Sequence, residues 1–209
     1  CRWAGQASSR YGKIEDIVIG LKGVLANGQP IEVRPVARRA VGPSIKDILV
    51  GSEGVFGFIT EMTLRIWRLP EVEFDMVLAF PSLQAGFDAM RDIVQHELRP
   101  EVMRLYDVLE SQQRTGDIPE FRQNPVLCIM EFSGMRALAE VERHLSLQLC
   151  LSHGAVLADS APYHEWEKTR YKSYSIKWQT EGYYMDTIEV TGRWSSIPLM
   201  YAQMSEAVH

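Results

Sequence analysis

The chain has 209 residues, 46% hydrophobic and 23% charged, with a formal net charge of −5 and a pI near 5.6. That is ordinary globular composition, enough for one large domain or two small ones. An acidic chain has no general attraction to nucleic acid or an anionic membrane. No apolar run approaches the roughly 20 residues that span a bilayer.

The opening CRWAGQASSRYG carries no initiator methionine and no apolar signal-peptide core, and it reads as the interior of a longer protein. Residues 14–25, IEDIVIGLKGVL, alternate and are β-branched, which predicts a strand. Ala26-Asn27-Gly28-Gln29 predicts a turn, and Pro30 to Pro35 a returning strand that completes a hairpin. Residues 38–43 read as a polar loop. Thr60 to Leu69 alternate again, with Met62, Leu64 and Ile66 on one face, until Pro70-Glu71 breaks the run.

From residue 72 a second organisation begins. The pattern predicts a strand at Val72–Phe80, a helix from Pro81-Ser82 to about Leu98, and a short strand at Val102–Tyr106. Residues 111–125 read as a loop around a helical turn. Then come a strand at Val126–Phe132, a helix over 136–152 closed by Gly154, and a strand at Ala155–Ala158. A helix from His164 to about Thr180, a strand at Tyr184–Val190 and a helix at Ile197–Val208 complete the pattern. The first six elements have the split βαβ order of an antiparallel ferredoxin-like sheet with helices on one face, so the class is α+β. The boundary falls at Leu69 to Glu71, giving residues 1–70 and 71–209 as separate units.

Cys1, Cys128 and Cys150 form no CxxC and no metal-ligand spacing, and five scattered histidines include no i, i+4 pair. No metal site is expected. Sparse, odd cysteines suit a reducing, cytoplasmic compartment, with Cys128 and Cys150 as small core residues.

Three segments could carry chemistry. In Gly51 to Thr60, three glycines in seven residues let a backbone approach a phosphate or nucleotide edge, and Glu53 could hold a ribose hydroxyl. On spacing alone the same glycines more simply serve a tight turn between two strands. The small and hydroxyl residues of Arg2 to Gly12 suit a flat or phosphorylated ligand, or a frayed terminus. Arg104 and Asp107 in MRLYD, with Lys168, Arg170, Lys172 and Lys177 on one predicted helix, could meet a substrate anion or form a solvated face.

YGKIEDIVIGLKGVLANG, then DILVGSEGVFGFITEMTLRIWRLPE, resembles the second half of the FAD-binding domain of FAD-linked oxidases of the vanillyl-alcohol oxidase type. Within that family, beside the D-2-hydroxyacid dehydrogenases, the chain is most similar to the alkyldihydroxyacetonephosphate synthase branch. Cys1, Arg2, Ala4, Gly5, Tyr11 and Gly12 fit its first segment, Arg104 to Asp107 its RLMD-like segment, and Glu189 its Glu-Thr, with Val190 departing. Where the synthases carry Arg-Asp on the cap helix, this chain has Lys177-Trp178. Lysine keeps the charge and loses the two-pronged geometry.

The resemblance implies FAD as cofactor, with Arg2, Ala4 and Gly5 near the pyrophosphate and Glu53, Gly54, Gly57 and Ile59 around the adenosine part. It implies Arg104 and Lys177 as substrate-binding residues, and a glycine-rich loop and catalytic residues in parts of the protein before and after this chain. The expected activity is oxidation of a small hydroxy acid or related alcohol. The alternatives are a synthase-type transferase, a piece inactive alone or half of a two-chain flavoprotein, and a ferredoxin-like interaction module. Expected partners are the small-molecule substrate, further copies of the chain, and the missing N- and C-terminal parts.

Overall fold

The computed structural model describes residues 5–172, 180–182 and 187–208. Arg2, Ala4, Lys177 and most of the helix expected beyond Lys172 lie outside the described residues.

The expected hairpin forms. Strand β1 (Val18–Leu25) pairs antiparallel with β2 (Pro30–Val33), setting Leu21 opposite Val33. The turn closes with Gly28 N–H donating to the Leu25 carbonyl at 2.9 Å. On its other side β1 pairs with β3 (Gly57–Leu64), so β1 is central in a three-stranded sheet. The predicted strand starts four residues late, because Ile14–Ile17 forms a helical turn, α2, after α1 (Ser8–Tyr11). The Asp16 carboxylate accepts the Lys13 backbone N–H at 2.9 Å, and Glu15 and Asp16 complement the positive end of the turn. A short helix, α3 (Ile45–Leu49), delivers Leu49 and Val50 to a small core with Val18, Leu21 and Val33.

The alternation read over Thr60 to Leu69 ends as a strand at Leu64 and buries neither face. Met62, Leu64 and Ile66 are all exposed, and β3 is an edge strand.

The second sheet contains β4 (Val72–Phe80), β5 (Val102–Leu105), β6 (Val126–Gly134) and β7 (Val156–Leu157), in the order β5-β6-β4-β7, antiparallel throughout. With α4 (Leu83–Gln95) and α6 (Arg136–Ser152), this is the ferredoxin-like arrangement. Ser82 caps α4, its Oγ accepting the Ala85 N–H at 3.1 Å. Met76, Leu78, Phe80, Cys128, Met130 and Phe132 pack against Ala89 and Ile93 of α4 and Ala139 and Cys150 of α6.

The expectation of helices on one face is incomplete. Val77, Ala79, Leu127 and Ile129 on the opposite face are covered by Tyr106, Phe121, Tyr163 and Trp166. That cover comes from α5 (Val108–Thr115), a 3-10 turn at Pro119–Arg122 and α7 (Ala161–Thr169). The segment read as a loop over 111–125 is therefore partly helical, with Asp107 capping α5 by accepting the Glu110 N–H at 2.8 Å. Both faces being dry explains why β6 reads as an unbroken apolar run rather than an alternating one.

The helix predicted from His164 begins three residues earlier, with Pro162 in its first turn, and its described part ends at Thr169. Of the strand predicted at Tyr184–Val190, Thr187 to Val190 are described and form no strand. Helix α8 (Ile197–Val208) forms where expected. Among the described residues no helix is long and apolar enough to cross a membrane, and no group of His, Cys, Asp and Glu is placed to hold a metal.

Candidate functional site

The glycine-rich turn follows α3. Gly51, Glu53 and Gly54 all take positive φ (86°, 53° and 90°), which strains Glu53 in particular. Among the described residues the N–H groups of Glu53 and Gly54 have no backbone partner. A Cβ on Gly54 would meet nothing within 4 Å, so the turn opens on free space. Gly57 differs: its Cβ would sit 2.7 Å from the Val24 carbonyl oxygen, so it is needed for close strand pairing. Ile59 is half-buried, opposite Gly23, and packs on the small core. Of the predicted cofactor residues here, Glu53 and Gly54 face open space, while Gly57 and Ile59 are built into the sheet.

Gly5 lies elsewhere, at a cleft of about 400 Å³ shared with Gln6, Ser8, Lys13, Arg170 and Tyr171. This cleft joins two of the segments singled out in the sequence: the N-terminal small-residue stretch and the basic run after α7. Gln6 Nε2 donates to the Arg170 carbonyl at 2.9 Å, while Gln6 Oε1 is buried without a partner among the described residues. A buried amide oxygen left unpaired is costly unless a ligand donor reaches it.

Arg104 lies on β5. Its Nε donates to the Tyr106 hydroxyl at 2.9 Å, and its guanidinium carbon stands 5.9 Å from the Trp166 ring centre. Arg170 approaches the same indole at 5.2 Å and stands 3.7 Å from Glu131. Two guanidiniums thus stand within about 6 Å of one indole, a distance suited to cation–π attraction. Glu131 in turn accepts from the Tyr163 hydroxyl at 2.9 Å. Burial pushes the Glu131 carboxyl above its ordinary range, opposed by the Tyr163 hydrogen bond. Burial and the bond to Glu131 together push the Tyr163 phenol up.

The sequence reading named Arg104 and Arg170 but missed Glu131, Tyr163 and Trp166. Glu131 carried a signal, as the single charge in the apolar run PVLCIMEF. Tyr163 and Trp166 carried none until α7 was seen to cover the sheet. Cys128 and Cys150 are fully buried in the core, and burial raises both thiols, Cys150 to about 12.

The open positive-φ turn and the orphaned Gln6 oxygen fit parts of a dinucleotide cofactor. The turn offers free N–H donors, and the cleft offers an unpaired acceptor beside Lys13 and Arg170.

Residues 69–209 match the family described as FAD linked oxidases, C-terminal domain. The chain is 36% identical over 141 residues to the uncharacterized FAD-linked oxidoreductase YgcU of Escherichia coli K12, covering 67% of this chain and 28% of that protein. It is 27% identical over 190 residues to an alkyldihydroxyacetonephosphate synthase of Dictyostelium discoideum, covering 80% of this chain and 31% of the synthase. A mitochondrial D-lactate dehydrogenase [cytochrome] of Arabidopsis thaliana is 29% identical over 154 residues, covering 73% of this chain and 27% of the dehydrogenase. Among solved structures, an alkyldihydroxyacetonephosphate synthase superposes with a TM-score of 0.63 at 25% identity, covering 74% of this chain and 31% of that one. The chain spans about a third or less of the length of these relatives.

Proposed function

The chain belongs to the family of FAD-linked oxidases through their C-terminal domain, and from that premise we propose that the full-length protein is an FAD-dependent oxidoreductase of small hydroxy acids. In this reading residues 1–70 are the second half of the FAD-binding domain and residues 71–209 the substrate domain. Arg2, Ala4 and Gly5 serve the pyrophosphate, and Glu53 and Gly54 the adenosine part, with Gly57 and Ile59 holding that turn against the sheet. When bound, FAD supplies the two-electron acceptor for the donor's carbinol carbon. Arg104 and Lys177 bind the substrate carboxylate, with Arg170 placed by the same indole to add charge. The proposed compartment is the cytoplasm.

The observation that carries this reading is the pair of guanidiniums at Trp166. Arg170 belongs both to that pair and to the cleft containing Gly5, so the cation cluster of the substrate domain adjoins the cofactor-side segment. A guanidinium fixed in this way holds a carboxylate with direction as well as charge.

A second reading, a synthase-type transferase, is favoured by the 80% coverage of this chain in the match to the Dictyostelium synthase. Anaerobic mixing of the FAD-loaded full-length protein with short 2-hydroxy acids separates the two. Loss of the oxidised-flavin absorbance with a hydroxy acid supports oxidoreduction. A protein that stays yellow with every 2-hydroxy acid tried excludes it and favours the transferase. A colourless protein that takes up no FAD excludes both.

A further inference from the structure

The cofactor-side segment, residues 5–12, is fastened to the ferredoxin-like unit by its own side chains. Arg10 Nη1 donates to the Arg99 carbonyl at 2.9 Å and to Glu142 Oε2 at 3.2 Å. Its Nη2 occupies the space beside Gly134, where a Cβ would stand 3.0 Å away. One guanidinium therefore touches the loop before β5, the end of β6 and the inner face of α6. Tyr11 adds a hydrogen bond at 3.2 Å to Glu101, which Ser133 also contacts, and its ring meets Trp67 edge-on at 5.0 Å.

Glu142 shows what the contact is for. The other buried residues of α6 are Ala139, Ser146 and Cys150, so Glu142 is the single charge on that face. A carboxylate on a buried face is costly unless paired and hydrogen-bonded. The Arg10–Glu142 pair is itself largely shielded, with side chains 18% and 9% exposed. Among the described residues, this charge on α6 finds its ion-pair partner in segment 5–12.

We propose that Arg10 is a positioning residue, which with Glu142 latches the cofactor-side segment onto the substrate-side unit so that the two walls of the cleft keep one spacing. The link to FAD rests on the proposed function; the latch itself does not.

Hydrogen exchange on the full-length protein without added FAD tests the latch. Arg10→Ala and Glu142→Gln should each speed exchange at the Ser8 to Gly12 amides by roughly tenfold or more while β4 and β6 stay protected. Arg10→Lys should recover part of the protection, and the exchanged pair Arg10→Glu with Glu142→Arg should recover more than either single change. FAD titration followed by flavin fluorescence should show the dissociation constant rising by roughly tenfold in Arg10→Ala, the scale expected for contacting, coupled groups. Unchanged exchange at residues 8–12 in both Arg10→Ala and Glu142→Gln would overturn the latch. Faster exchange with unaltered FAD affinity would overturn its positioning role. If the wild-type protein binds no FAD yet exchange responds, the latch stands and the flavoprotein reading falls.

Discussion

The Tyr163 hydroxyl donates to Glu131 Oε2 at 2.9 Å, and the Arg170 guanidinium stands 3.7 Å from the same oxygen. A carboxylate at the centre of a sheet dry on both faces is thereby given one neutral donor and one cation. Burial is the larger effect and raises its pKa. A raised carboxyl binds its proton more tightly folded than unfolded. Its contribution to stability is therefore greatest in acid and falls as pH climbs from the ordinary glutamate range to the folded value. Glu131→Gln should accordingly gain on the wild type as pH rises through that window, by on the order of 1 kcal/mol per pH unit crossed. Thermal melts of both proteins at pH 4, 6 and 8 check this. A stability difference that does not vary with pH would show that folding leaves the proton affinity of Glu131 unchanged, and one that moves the other way would show that it is held ionised.

The opposite sign is expected at the ends of α4 and α6. Asp92 Oδ2 and His153 Nε2 are 2.8 Å apart, joining the last turn of α4 to the C-cap of α6. The hydrogen bond from His153 lowers the Asp92 pKa, helped by Arg91. A depressed carboxylate contributes stability above its ordinary range and loses it as pH falls through the folded value. The pair is a quarter exposed, so Asp92→Asn should cost less than about 1 kcal/mol at pH 7. That difference should be smaller at pH 3 than at pH 7. Urea unfolding at the two pH values measures it, and an equal loss at both would assign the effect to packing.

Most of the fold of residues 71–209 was legible because its signals were local. Ser82 and Gly154 mark helix ends by side-chain chemistry or positive φ, and the unbroken run Val126–Phe132 marks a buried strand. What covered the second face was not legible. Tyr163 and Trp166 sit in a helix of mixed charge, PYHEWEKT, whose burial depends on a sheet more than 30 residues earlier in the chain. The candidate site was legible only in part for the same reason. Three glycines in seven residues look alike in sequence, while only neighbours from another strand show that Gly57 lies against Val24 and Gly54 against nothing. The cleft at Gly5 needs Arg170, 165 residues away, which spacing cannot supply.

That difference between the glycines is measurable. Gly57→Ala forces a Cβ to within 2.7 Å of a backbone oxygen, and overpacking of this kind costs roughly 1–3 kcal/mol. Gly54→Ala meets no atom but must hold φ near 90°, a strain of about 1 kcal/mol or somewhat more. Gly57→Ala should therefore lose more stability in denaturant unfolding. Gly54→Ala should lose more FAD affinity than its stability loss accounts for, because its added Cβ enters the open space at the proposed adenosine side. If affinity fell in proportion to stability in both, the turn would be a strand connection and nothing more.

Arg104 offers the sharpest test of the substrate role. Its guanidinium is held by Tyr106 at 2.9 Å and set over Trp166, so its direction is fixed before any ligand arrives. Fixed direction is what an ammonium on a flexible stem lacks. Arg104→Lys keeps the charge and should lose much of the affinity for a carboxylate-bearing donor. Arg104→Met removes the charge but keeps an unbranched stem against the indole. In steady-state kinetics of the FAD-loaded full-length protein, Arg104→Met should lower kcat/KM for 2-hydroxy acids by on the order of 100-fold, mostly through KM. For the uncharged alcohol of the same chain length the loss should be only a few-fold. Parallel losses on the acid and the alcohol would mean that Arg104 supports the packing of Trp166, and Arg170 would then be left as the described cation for the carboxylate.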